Sequence, residues 1–414
     1  MIKNDVIILG LILSILGLVF RTSSSERPVL KKFFSLVPPL LLCYFIPSLL
    51  TTFHIVDEPS SSLYHFASNF LLPAALILLT MNVNLKEIFR LGPVSLIMFF
   101  TGSIGIILGG PIAMLIIYFI SPDTLSGTGS NAVWRGLSAI AGSWIGGAPN
   151  QAAMYGIFKP SAQLYSMVIT VDIVISQIWM AILLLGAAKS QLADRLFRAN
   201  SSTLGKIIGN VKSFNTRTAR ITSLTDYAVI LGIAFGFTAL SQLLGGKLAA
   251  WFTNAGEIME RFNFTSGFFW LIILSTAFGI GLSMTSARNY EGAGASKIGT
   301  YFIYFLVATI GLKMDLLRIF DNPGLFALGA IWILIHGGLL ILVGRMIRAP
   351  FFFLAVGSQA NIGGAASAPV VAAAFNPVLA PVGVLLAVFG YVIGTYGGWL
   401  SAIIMQWISV ILGL

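Results

Sequence analysis

Charge is scarce in this chain. Asp, Glu, Lys and Arg make up 9% of its 414 residues, against about a quarter in soluble globular domains. That scarcity excludes an ordinary soluble fold. Cysteine is almost missing too. The one thiol, Cys43, lies in an apolar run, so the chain has no internal disulfide and no thiolate cluster for a metal. No His-Glu-x-x-His run and no Walker A glycine-lysine run occurs, so the usual ligands for metal hydrolysis and for nucleotide phosphates are lacking. The expectation is a protein that is not an enzyme, holds no metal and carries no cofactor.

The chain has apolar sequence in abundance. Mean hydropathy is +0.93 and 57% of residues are hydrophobic. Apolar segments run over 4–20, 35–54, 66–83, 93–119, 135–158 and 163–187, then over 225–245, 266–285, 297–313, 323–346, 351–376 and 378–410. Runs of about 20 apolar residues span a hydrocarbon core roughly 30 Å thick. The chain therefore reads as an all-α polytopic membrane protein. Its first segment has no small-residue cleavage site behind it and reads as a retained helix, not a signal peptide. The net charge of +10 belongs to the loops, as the positive-inside rule expects. No basic soluble segment is present to hold a nucleic acid.

The segments fall into two sets of six. Residues 1–187 form a first membrane repeat and 224–414 a second. The linker 188–223 carries seven basic residues against Asp194, a net +6. Repetition is visible in the residues themselves. GSWIGGAPNQAAMYGIFKP in the fifth segment is echoed by GSQANIGGAASAPVVAAAFNP in the eleventh. Ile145-Gly146-Gly147 matches Ile362-Gly363-Gly364, and Phe158 and Pro160 match Phe375 and Pro377, all at an offset of 217 residues. NLKEIFR at 84–90 resembles GLKMDLLR at 311–318, each after the third segment of its half. Internal duplication of this kind is common among transporters.

Charge then constrains topology. Arg21, Arg27, Lys31 and Lys32 place the 21–33 loop inside, Asp57 and Glu58 fall outside, and Lys86 and Arg90 fall inside. If the fifth segment crossed fully, the +6 linker would lie outside. If it dips in and returns, the linker lies inside with Arg345 and Arg348. The pattern favours re-entrant hairpins with arms of about 12 residues, each about 18 Å long. Five crossings and one hairpin per half make the two halves inverted repeats. A discontinuous crossing helix at each position is the competing arrangement and uses the same residues.

Broken backbone at membrane depth is tolerated only inside protein or along a cavity. Half-helix N-termini favour anions and freed carbonyls favour cations. The expected solute site is thus Ser143, Gly146, Gly147, Asn150 and Gln151 of the first break with Ser358, Gln359, Asn361, Gly363, Gly364 and Ser367 of the second. The plainer reading is that the glycines only let helices pack. Asp172 is the one acid deep within an apolar helix, and such acids are usually functional. It is the candidate for coupling to Na⁺ or H⁺, or else a structural acid paired with a neighbouring hydroxyl or amide. His336 is the one deep histidine, either a relay or a satisfied packing residue. Asn82 and Asn84, with Thr309, end equivalent helices and either cap them or line the cavity. Lys86 and Lys313 read as interface anchors.

SWIGGAPNQAAMYG, GSQANIGGAASAPVVAAAF and FNPVLAPVGVLLAVFGYVIGTYGGW together resemble the YjcL-like family, domain of unknown function 819, over essentially the whole chain. More distantly, the twin Gly-Gly breaks and ATIGLKMDL are similar to the cation:proton antiporter and anion transporter superfamily, which includes sodium/glutamate and sodium/citrate symporters. That resemblance implies an elevator transporter, usually a homodimer, whose hairpin tips hold solute and ion. By position, the role falls on Gly146, Gly147, Asn150, Gly363 and Gly364. The adjacent acid pair of the antiporters is absent, since Val171 precedes Asp172, which leans towards symport.

The expectation is a secondary active transporter of a small organic anion or an amino-acid- or peptide-like solute, in a bacterial inner membrane. The alternatives are a passive channel with two opposed half-helices and a membrane subunit of a larger complex.

Overall fold

A computed structural model describes residues 1–37, 39–57, 61–83, 85–197, 199, 222–255, 259–260, 262, 264–313, 321–376 and 379–414. Asn84, most of the basic linker, Pro377 and the 314–318 part of the second sequence echo lie outside the described residues, as does the side chain of Lys86.

The chain is helical, with no named strand among the described residues. In order the helices are α1 (Asp5–Ser23), α2 (Pro28–Leu36), α3 (Pro39–Thr52), α4 (Leu63–Met81), α5 (Leu85–Arg90), α6 (Pro93–Ile120), α7 (Val133–Phe158), α8 (Ala162–Ala188) and α9 (Ser190–Phe197). Then come α10 (Leu224–Thr253), α11 (Gly267–Ser283), α12 (Ala295–Gly311), α13 (Gly324–Met346), α14 (Phe351–Ile362), α15 (Gly364–Phe375) and α16 (Ala380–Leu412). Among the described residues, α1, α4, α6, α8, α10, α13 and α16 are long and apolar enough to cross a bilayer. An eighth candidate is α11 with the 3-10 turn Ser286–Ala293, bent by 94°.

Local chemistry sets the boundaries. Asn4, Ser161 and Ser266 accept backbone N–H groups at the starts of α1, α8 and α11, and Ser223 with Asp226 closes a capping box on α10. The second apolar segment is α3, and the basic loop before it carries a short helix of its own, α2. In α4 a π turn at Ala67–Leu71 precedes Pro73, whose ring nitrogen cannot donate to the ladder. The seventh segment, expected to end at 245, continues to Thr253. Gly245 does not stop the helix; it lets α10 approach Trp270 and Leu271, where a methyl group would stand 3.1 and 3.2 Å away.

Packing separates two bundles. α6, α7, α8, α13, α14, α15 and α16 pack chiefly on one another, and α1, α3, α4, α10, α11 and α12 do the same. Close approach within the first bundle depends on glycine: Gly109 and Gly110 of α6 lie directly against the Trp332 ring of α13. Trp332 Nε1 donates to Ile106 O at 2.9 Å. The seam between the bundles runs along α4, α11 and α12 facing α7 and α16. It is largely aromatic, with Trp399 against Phe264 and Phe269. Side-chain hydrogen bonds across it include Tyr44 to Gln151 at 2.9 Å and Thr276 with Thr395 at 3.3 Å.

Candidate functional site at the hairpin tips

The glycine breaks fold the chain back on itself. Within α7, Gly146 (φ −144°, ψ 16°) and Gly147 (φ 71°, ψ −168°) leave helical geometry. Residues 135 and 158 would stand about 35 Å apart in a straight helix. Instead Arg135 Nη1 donates to Phe158 O at 2.6 Å, and the Trp134 and Phe158 rings are 5.6 Å apart. The neighbouring backbone agrees, since Ser161 N donates to Ser130 O. α7 is therefore a hairpin whose two ends share one mouth. α14 and α15 form a second: Phe351 and Phe352 at its start lie 6.1 and 5.3 Å from Phe375 at its end.

The two hairpins open towards opposite ends of α8. The first mouth adjoins Ser161, at the start of α8. The second adjoins its far end, where Phe351 N donates to Asp194 Oδ1 and the Phe351 ring covers Gly186. The 27 residues of α8 span about 40 Å. The tips meet midway. A methyl group on Gly147 would stand 3.8 Å from Gly364 Cα, one on Gly364 would stand 3.8 Å from Gly147 Cα, and each would lie 3.8 Å from Tyr391. The carbonyls of Ile145 and Ala360, at the ends of the two first arms, both face Gly390 of α16, 3.0 and 3.1 Å from a methyl placed there. Amide-bearing starts of the second arms and carbonyl-bearing ends of the first arms are thus gathered in one place.

Two asparagines anchor these tips with the same bonding scheme. Asn150 Nδ2 donates to Gly146 O of its own hairpin and to Tyr391 O of α16, and its Oδ1 accepts from Thr395. Asn361 Nδ2 donates to Gly357 O of its own hairpin and to Phe99 O of α6, and its Oδ1 accepts from Ser103. Each amide takes one carbonyl four residues back, one on a long helix, and a hydroxyl one turn further along that helix. Both side chains are fully buried, and their donors are used up in holding backbone.

Asp172 sits on α8 facing the first hairpin, 5% exposed. Trp144 Nε1, on the first arm, donates to its Oδ1, and Gln151 Nε2, on the second arm, donates to its Oδ2 at 2.6 Å. The Ser143 hydroxyl lies beside the same carboxylate. Gln151 Oε1 in turn accepts from Tyr44 of α3, across the seam. Near the second hairpin, Trp179 Nε1 donates to Ser358 Oγ, and Ser358 pairs with His336 Nε2 at 2.8 Å. His336 Nδ1 pairs with Gly102 O at 3.0 Å. Since Gly102 O only accepts, His336 carries its proton on Nδ1, and in the neutral ring Nε2 accepts a hydrogen bond from the Ser358 hydroxyl. Gln359 Nε2 donates to Ser367 Oγ at 2.7 Å, while its buried Oε1 has no hydrogen-bond partner.

The structure thus gathers Gly146, Gly147, Gly363 and Gly364 at the tips, and Ser143, Gln151 and Asp172 in one network. Ser358 joins His336, and Gln359 joins Ser367. Thr309 bonds back to Leu306 O in its own helix, and Asn82 caps the end of α4; both stand outside these networks. The Lys313 ammonium lies over the Tyr64 ring, 4.0 Å from its centre. Sequence reasoning passed over Trp144, Tyr44, Trp179, Ser103, Tyr391 and Thr395. Trp144 stands inside the first glycine motif, and Tyr391 and Thr395 inside the GYVIGTYGGW stretch, so these were open to notice; Tyr44, Trp179 and Ser103 lie in unremarkable apolar runs.

These features define an all-helical polytopic membrane protein built around two glycine-hinged hairpins. The chain belongs to the family described as protein of unknown function DUF819, which it matches over residues 10–408. It is 25% identical over 359 residues to the uncharacterized membrane protein YjcL of Bacillus subtilis (strain 168), covering 83% of this chain and 85% of that one.

Proposed function

We propose that this protein is a secondary active transporter of a small organic anion or an amino-acid-like solute, coupled to Na⁺ or H⁺, in the bacterial cytoplasmic membrane. The observation that carries the reading is the meeting of two hairpin tips from opposite ends of α8, Gly147 against Gly364. Helix starts and helix ends converge there, so positive and negative backbone dipole ends face one small volume. A carboxylate suits the amide ends, and an ammonium suits the carbonyls of Ile145 and Ala360. The two-bundle packing supports an elevator motion, in which the bundle carrying both hairpins slides along a largely aromatic seam. The bundle of α1, α3, α4, α10, α11 and α12 is then the scaffold on which a second copy docks to form a homodimer.

The test is uptake into vesicles reconstituted with the purified protein. A panel of small carboxylates and amino acids is offered under an imposed Na⁺ or pH gradient. Accumulation against a concentration gradient, abolished by collapsing the ion gradient, is expected. Passive equilibration indifferent to ions contradicts the proposal and favours a channel.

A further inference from the structure

We propose that the coupling ion is a proton carried by Asp172, and that this carboxylate is the latch that ties both arms of the first hairpin to α8 and, through Gln151, to Tyr44 of the scaffold. The coupling role rests on the transporter reading above; the proton site itself does not.

Indole nitrogen donates only, and Gln151 turns its Nε2 towards Asp172 while its Oε1 accepts from Tyr44. Both carboxylate oxygens therefore face N–H groups, with their positive ends turned inwards. A hard cation needs several oxygen ligands around it, and here N–H groups occupy those directions. A proton needs only one oxygen and an acceptor to point at. Ser143 provides that acceptor. A hydroxyl donates to a carboxylate and accepts from a carboxylic acid by rotating, so the same side chain can serve either protonation state.

No charged partner competes. α7 brings two ionisable side chains: Arg135, bonded to Phe158 O at the mouth, and Tyr155, whose ring is tilted against that of Tyr165. α14 and α15 bring none. α13 brings His336, whose two nitrogens are engaged by Gly102 and Ser358, and Arg345 in its last turn; α9, beyond the far end of α8, brings Asp194, which holds Phe351 N, and Arg195. α3 brings Tyr44, held through Gln151, and α8 itself brings Tyr165, packed against Tyr155.

The consequence is mechanical. Trp144 belongs to the first arm and Gln151 to the second, and Gln151 also holds Tyr44 across the seam. Hydrogen bonds to an ionised carboxylate are about twice as strong as neutral ones. Protonation weakens both clamps at once and frees Gln151 to release Tyr44. Hairpin tip and bundle seam loosen together.

The test is infrared difference spectroscopy on the purified protein during a pH titration, with no solute present. We expect a carboxylic-acid C=O band that titrates, is missing in Asp172→Asn, and keeps its midpoint when choline is replaced by Na⁺. Ser143→Ala, a mild change that tests the acceptor if Asp172→Asn fails to fold, should keep the titration and move the band. Hydrogen exchange across residues 143–151 should quicken in the wild type as the band appears. Absence of any titrating acid band overturns the proposal. So does a midpoint that falls by about one pH unit for each tenfold rise in Na⁺, the behaviour of two ions competing for one site. Either failure leaves the transport reading to be judged separately by uptake.

Discussion

Gly147 and Gly364 are 217 residues apart in the chain and lie tip to tip, each 3.8 Å from where the other's side chain would begin. Both have positive φ, 71° and 57°. The offset is the one that relates the two glycine motifs in the sequence.

Gly147 is needed for its backbone, not for space. Its φ and ψ fall in a region open essentially to glycine alone, while the nearest atoms to an added methyl stand at 3.8 Å. Gly147→Ala should destabilise the protein by about 1–3 kcal/mol. Gly10→Ala, in a helix with nothing within 4 Å, should not destabilise and should gain up to about 1 kcal/mol. Thermal unfolding in detergent compares the two.

The paired asparagines give a second outcome. Asn150→Ala and Asn361→Ala each strand a buried hydroxyl and two carbonyl contacts, at a cost of about 1–3 kcal/mol. Their effects should add, because they share no partner. Asn150→Ala and Thr395→Val should not add, because each removes the same bond. A double-mutant cycle in unfolding midpoints measures both.

Close packing of α6 on α13 makes a third. A methyl group on Gly109 would meet Trp332 Cδ1 at 2.6 Å. Gly109→Ala should cost about 1–3 kcal/mol by overpacking. In a Trp332→Leu background, which already lacks the ring and its bond to Ile106 O, the same change should cost far less.

Much of this fold was legible because membrane spans announce themselves by length and hydropathy, and because Gly-Gly pairs beside Pro149 and Pro369 are poor material for straight helices. The +6 linker favoured a hairpin for the fifth segment, and the Arg135–Phe158 contact shows one. The site was legible only as a set of polar residues near the breaks. Which of them touch was not. Tyr44 and Gln151 are 107 residues apart and Ser358 and Trp179 are 179 apart, and no local periodicity encodes such pairs. Nor did the sequence separate anchors from free polar groups. Asn150 and Asn361 read as solute ligands, yet their amides are spent on backbone.

The most direct test of the account is side-specific labelling of two exposed positions. In a Cys43→Ser background, single cysteines replace Ser130, beside the first hairpin mouth, and Lys189, at the far end of α8. A membrane-impermeant thiol reagent is then applied to cells and to inverted vesicles. If α7 is a hairpin, α8 alone crosses between the two positions, and they must label from opposite sides. If α7 crosses the membrane instead, both cysteines will label from the same side, and the meeting of opposed tips at Gly147 and Gly364 is contradicted.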